Sequence, residues 1–203
     1  MTEISNKNPH SLTTLFFTEM WERFSYYGMR ALLVLYLVNS LNYSNAEALH
    51  IYAIYTGLVY LTPIIGGYLA DRYLGTQKTI FIGGITMMLG HFLMAFPNLL
   101  YLAMGLLIIG NGYFKPNIST LLGKLYKTND TRRDSGFSIF YIGINLGAFL
   151  APLIVGYVGE TINWHYGFAI AGIGMFAGLM QFYFGQNKII EEDTSKKTKK
   201  LDS

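Results

Sequence analysis

The chain has 203 residues, 52% hydrophobic and 13% charged, with 15 basic and 12 acidic side chains and a net charge of +3. An ordinary soluble domain carries roughly 25% charged residues, so this one has too little charge to surround a core in water, and the composition points to lipid. The absence of cysteine excludes a disulfide framework, thiolate metal sites and cysteine catalysis while leaving the compartment open, and so small a net charge does not argue for nucleic acid.

A bilayer core about 30 Å thick takes roughly 20 mostly apolar residues per helix. Six such stretches follow one another, at residues 12–38, 47–70, 79–96, 99–122, 135–159 and 166–186. The expected fold is therefore all-α, a polytopic membrane protein with six transmembrane helices. Residues 1–11 form a cytoplasmic N-terminus, 12–186 the bundle, and 187–203 a charged cytoplasmic tail or the start of a linker. Connections are short, and Ser44 with Glu47 has the spacing of a capping box at the start of the second helix.

Orientation follows from the basic residues near span ends, which stay on the cytoplasmic side. Lys7, Arg72, Lys78, Lys124, Lys127, Arg132, Arg133 and the tail residues Lys188, Lys196, Lys197, Lys199 and Lys200 all fall on one side of the expected bundle. The connections beginning at Asn39, Pro97 and Glu160 carry no Lys or Arg. Both termini are thus expected in the cytoplasm. No cleavable signal peptide is expected, because the first apolar segment is longer than a signal core and holds Glu19, Glu22, Arg23 and Arg30.

Arg23, Arg30 and Lys115 are the basic residues inside spans, where insertion scales put a central charge at about 2.5 to 3.5 kcal/mol. Glu19, Glu22, Arg23, Tyr26, Tyr27 and Arg30 recur at separations of three and four, which aligns them on one side of the first helix. Two acids and two bases can cancel on that stripe as a static cluster, but Lys115 on the fourth helix then lacks an acid of its own, and the excess positive charge invites an anion. Pro116 follows it, a residue common where a spanning helix lines a cavity. Tyr60 is deep enough to line a wet cavity. Asn145 in the fifth span fits an interhelical hydrogen bond as well as a ligand contact. His91 reads as a hydrogen-bonded packing histidine, and the pairs Gly143–Gly147 and Gly174–Gly178 read as close helix contacts.

Three stretches together resemble the proton-dependent oligopeptide transporter (POT) family of the major facilitator superfamily. Residues 19–28, EMWERFSYYG, match the family's ExxERFxYYG helix; residues 66–80, GGYLADRYLGTQKTI, look like its signature between helices two and three; residues 140–156, FYIGINLGAFLAPLIVG, are similar to its fifth-helix signature. The resemblance covers about residues 12–186 and implies the N-terminal bundle of a carrier, built from two inverted three-helix repeats. Its match stops halfway, so a missing C-terminal six-helix bundle is an expected partner and truncation of a longer gene product is the simplest reading. Ala53 stands where animal members are expected to carry a histidine, so no proton route runs through that position.

What the resemblance implies is uptake of di- and tripeptides across the plasma membrane, driven by protons. Arg23 and Lys115, with Arg30 as a third candidate, supply cations for the peptide carboxylate; Tyr26, Tyr27, Tyr60 and Asn145 carry over as groups that bond its backbone. Glu19, Glu22, Arg23 and Lys115 form the proton-coupling set: a peptide that takes the guanidinium abandons a buried Glu, which then favours taking up a proton. Asp71 and Arg72 are expected to gate from the cytoplasmic surface. No metal or cofactor is expected, no enzyme motif is present, and besides peptides and protons the partners are membrane lipids and no nucleic acid. The alternatives are a carrier of another small anion such as nitrate, which has less need of carboxylates in its cavity, and a non-transporting membrane subunit.

Overall fold

The structure, a computed structural model, describes residues 8–127 and 129–201, as backbone alone at 188 and 190–201. Lys7 and the side chains of the tail lysines, which bear on orientation, lie outside what is described. Helix α1 spans Ser11–Asn39. Helix α2 spans Asn45–Leu69 and runs on through a π turn at Ala70–Leu74; α3 is Thr76–Leu93. A 3-10 turn at Pro97–Leu99 opens α4, Leu100–Lys124. Helix α5 begins as Arg133–Ala151 and continues through a π segment at Pro152–Gly156 to Thr161, and α6 is Trp164–Leu201. These are the six expected rods, with no strand among the described residues.

Local chemistry fixes several ends. Ser44 and Glu47 form the capping box, each side chain bonding the other's backbone N–H. At Gly75 the backbone takes φ +80°, a left-handed conformation that favours glycine and separates α2 from α3. Four rods are long and apolar enough to cross a membrane: Asn45–Leu74, Pro97–Lys124, Arg133–Thr161 and Trp164–Asn187. Helix α1 falls short of that standard because of its charges, and α3 because it opens on Thr76, Gln77 and Lys78 and ends near His91.

Packing follows a twofold pattern. Helix α1 packs on α5 and α6, α4 packs on α2 and α3, and α3 against α6 joins the two sets. Exchanging α1 with α4, α2 with α5 and α3 with α6 maps the main contacts onto themselves. Each sequence half therefore gives its first helix to the other half's second and third.

Small residues make the approaches close. A Cβ at Gly147 would fall on the carbonyl oxygen of Met20, and one at Gly143 would meet Phe16 at 3.0 Å, so this pair seats α5 on α1. Gly174 and Gly178 face Phe24, Trp21 and Thr18 of the same helix. A Cβ at Gly66 in α2 would overlap the carbonyl oxygen of Gly112, the acceptor that Pro116 cannot bond. Thr62 Oγ1 donates to the Ile108 carbonyl at 2.9 Å and clamps the same contact. The core runs through Leu32, Leu33 and Tyr36 of α1 and Phe114 and Ile118 of α4, with Phe168 edge-on to Tyr36 at 5.1 Å. His91 corrects one expectation: it is a buried packing residue, but neither ring nitrogen is hydrogen-bonded.

Candidate functional site

Helix α1 is the buried centre of the bundle, and its polar stripe turns inward. Glu19, Glu22, Arg23 and Tyr26 are all buried, while Tyr27 and Arg30 are half-buried. One turn separates Glu19 from Arg23, and Arg23 Nε lies 3.2 Å from Glu19 Oε1; the same Nε donates to Glu22 Oε2. The Arg23 guanidinium also stands over the Tyr26 ring at 5.1 Å. Glu19 Oε2, Glu22 Oε1 and Arg23 Nη2 are buried without a hydrogen-bond partner. Such atoms are costly to leave unpaired, so the cluster retains capacity for a ligand.

Lys115 reaches this set from α4. Its ammonium stands over the Tyr60 ring of α2 at 5.2 Å and within electrostatic range of Glu19, Glu22 and Arg23. Two carboxylates thus face two cations, which balances them. Arg30 is left over. Among the described residues no acid pairs with it; its Nε donates to the Tyr52 hydroxyl of α2, and its guanidinium lies 5.3 Å from the centre of that ring. A cavity of about 270 Å³ opens beside it, lined by Tyr27, Arg30, Ala31, Tyr52, Ala148 and Pro152 of α1, α2 and α5. An anion entering here meets a guanidinium with free Nη donors.

Other expected residues lie outside this constellation. Asn145 is exposed, with its Nδ2 donating to the Tyr141 carbonyl at 2.8 Å. It lies two residues from both Gly143 and Gly147, on the side of α5 turned from α1. Asp71 and Arg72 are exposed in the π turn that ends α2; Arg72 Nη1 donates to Tyr68 Oη at 3.3 Å, and its guanidinium stands 5.9 Å from both the Tyr68 and Tyr73 rings. Asp71 has no ion-pair partner among the described residues.

Three further polar residues stand out on the helices that carry these groups. Tyr52 holds Arg30. Tyr55 is buried with its hydroxyl unbonded and lies within electrostatic range of Tyr26, Glu22, Arg23 and Arg30. Asn111, one turn before Lys115, is buried with neither amide atom bonded. Asn111 carries a sequence signal in standing four residues before Lys115; Tyr52 and Tyr55 carry none, because what ties them to the site lies on α1.

The geometry gathers three cations and two carboxylates on α1 and α4, against tyrosines of α2, with a cavity beside Arg30 that α1, α2 and α5 line. A family model described as the POT family matches residues 77–201, more than half of the chain. The chain belongs to the POT family. Among relatives, it is 48% identical over 205 residues to a di-/tripeptide transporter of Lactococcus lactis subsp. lactis, covering 96% of this chain and 41% of the relative. It is 53% identical over 189 residues to an uncharacterized transporter of Bacillus subtilis, covering 89% and 38%. A solved peptide transporter POT in complex with sulfate has 51% identity and a TM-score of 0.86, covering 89% of this chain and 38% of that one. A POT family transporter in complex with 5-aminolevulinic acid has 41% identity and the same TM-score, covering 89% and 39%. The chain thus spans about two fifths of the length of the POT proteins it matches, and its six helices are the fold of that part.

Proposed function

We propose that this chain forms the N-terminal six-helix part of a proton-coupled carrier of di- and tripeptides in the cell membrane, with both termini cytoplasmic. The observation that carries the reading is a buried Glu19–Glu22–Arg23 cluster facing Lys115, with Arg30, which pairs with no acid among the described residues, two turns further along α1. A short peptide is a zwitterion. Its carboxylate finds cations in Arg30 and Lys115, and its backbone finds hydroxyls in Tyr26, Tyr27 and Tyr60. Complexes of similar proteins with sulfate and with 5-aminolevulinic acid fit a recess that favours acidic groups. Asn145 joins the substrate set through its exposed face on α5, facing a partner bundle. That partner supplies the acid for the peptide's amino group. Exposed apolar side chains such as Ile64 of α2, at 74%, and Phe149 of α5, at 66%, offer surface to that bundle and to lipid. Residues 187–203 serve as a charged cytoplasmic tail or as the start of a linker to it, and Asp71 and Arg72 gate the cytoplasmic side.

Coupling is competition for one guanidinium. Arg23 is paired with both acids; a peptide that draws Arg23 or Lys115 away leaves a buried carboxylate without its cation, and burial then favours its binding a proton. Glu22→Gln in the full gene product is expected to abolish proton-driven accumulation of labelled dialanine in liposomes and to leave peptide counterflow intact. Concentrative uptake in that variant overturns the assignment. The carboxylates favour peptide over nitrate as cargo, because a carrier of a simple anion has little use for them.

A further inference from the structure

Among the described residues no acid holds Arg30 of α1, and a long side chain in a cavity loses affinity for a ligand if it must first be ordered. Its order comes from the neighbouring helix. Tyr52 accepts a hydrogen bond from Arg30 Nε and places its ring beside the guanidinium, 5.3 Å from its centre. With Nε engaged and the guanidinium beside the ring, the fork is restrained; no partner engages Nη1 or Nη2 among the described residues, and Arg30 lines the cavity shared with Tyr27, Ala148 and Pro152.

Resting on the peptide-carrier reading above, we infer that Tyr52 is a positioning residue, which aims the Arg30 guanidinium at the carboxylate of a bound peptide. It acts through Arg30 and need not touch the peptide. The contact joins α1 to α2, helices that pack mainly on other neighbours, so a hydroxyl and a ring here set the direction of one side chain more than they hold the bundle together.

Dipeptide counterflow by the full gene product in liposomes tests this with four proteins: wild type, Tyr52→Phe, Arg30→Lys and the double variant. Tyr52→Phe keeps the ring and removes one charge-assisted acceptor, so KM is expected to rise about tenfold while the maximal rate stays within about twofold of wild type. In the Arg30→Lys background the same change is expected to add nothing, because lysine has no Nε to orient. An unchanged KM, a loss confined to the maximal rate, or an equal loss in both backgrounds overturns the inference and leaves the carrier reading standing. A wild type without counterflow overturns both. If Tyr52→Phe is not monodisperse in detergent, Tyr52→Trp, which also keeps a ring without the hydroxyl, repeats the comparison.

Discussion

Arg23 differs from Arg30 in having its Nε between two carboxylates, which makes planarity as important as charge. A lysine there keeps the charge, loses the fork and leaves two buried acids with one point charge. Arg23→Lys is therefore expected to weaken peptide binding at least about tenfold, measured as the Kd for dialanine by isothermal titration; wild-type affinity in that variant excludes a bidentate role. The α1 cluster was legible in the sequence because charges in a span are rare and their three- and four-residue spacing places them on one face. Tyr52 and Tyr55 were not, because a tyrosine is ordinary in a helix and its importance here comes from α1, a neighbour that spacing within α2 does not reveal. Asn145 shows the converse: a polar residue inside a recognisable signature whose face, turned from α1, only packing discloses.

At the scale of helices, glycine tells close contact from open surface. Gly66 lies against the Gly112 carbonyl, whereas a Cβ at Gly57 meets nothing within 4 Å. Gly66→Val is expected to destabilise the protein by about 1 to 3 kcal/mol through overpacking of α2 on α4, and Gly57→Ala to be neutral or stabilising by up to about 1 kcal/mol. Thermal unfolding followed by the fluorescence of Trp21 and Trp164 compares them; equal melting temperatures would refute the close α2–α4 contact. Helix ends were readable where a residue has a specific job, as at Ser44 with Glu47 and at Gly75. They were less so where helix continues through weak signals. Pro152 sits within a continuous rod because a π segment absorbs it. Helix α6 extends to Leu201 beyond its apolar stretch, in a run rich in Lys and Glu, which are good helix formers.

For the molecule as a whole, linkage makes proton and peptide binding reciprocal. Titrating dialanine into the full gene product in buffers of different ionisation enthalpy is expected to reveal net proton uptake on binding, and its absence would break the proposed competition for Arg23. Orientation is testable with unusual economy, because a chain without cysteine accepts a single reporter. A membrane-impermeant maleimide is expected to label cysteines placed at Asn42, Asn98 and Asn163 from outside, and one at Lys127 only after permeabilisation. The reverse pattern would invert the proposed topology. The exchanged packing also sets an order of assembly. When α1 to α3 have left the ribosome, α4 does not yet exist to receive α2 and α3, and α1 waits for α5 and α6 with its carboxylates and guanidiniums unsheltered. Biogenesis must hold that intermediate, shielded by the insertion machinery or kept at the water interface, until the last of the six helices arrives.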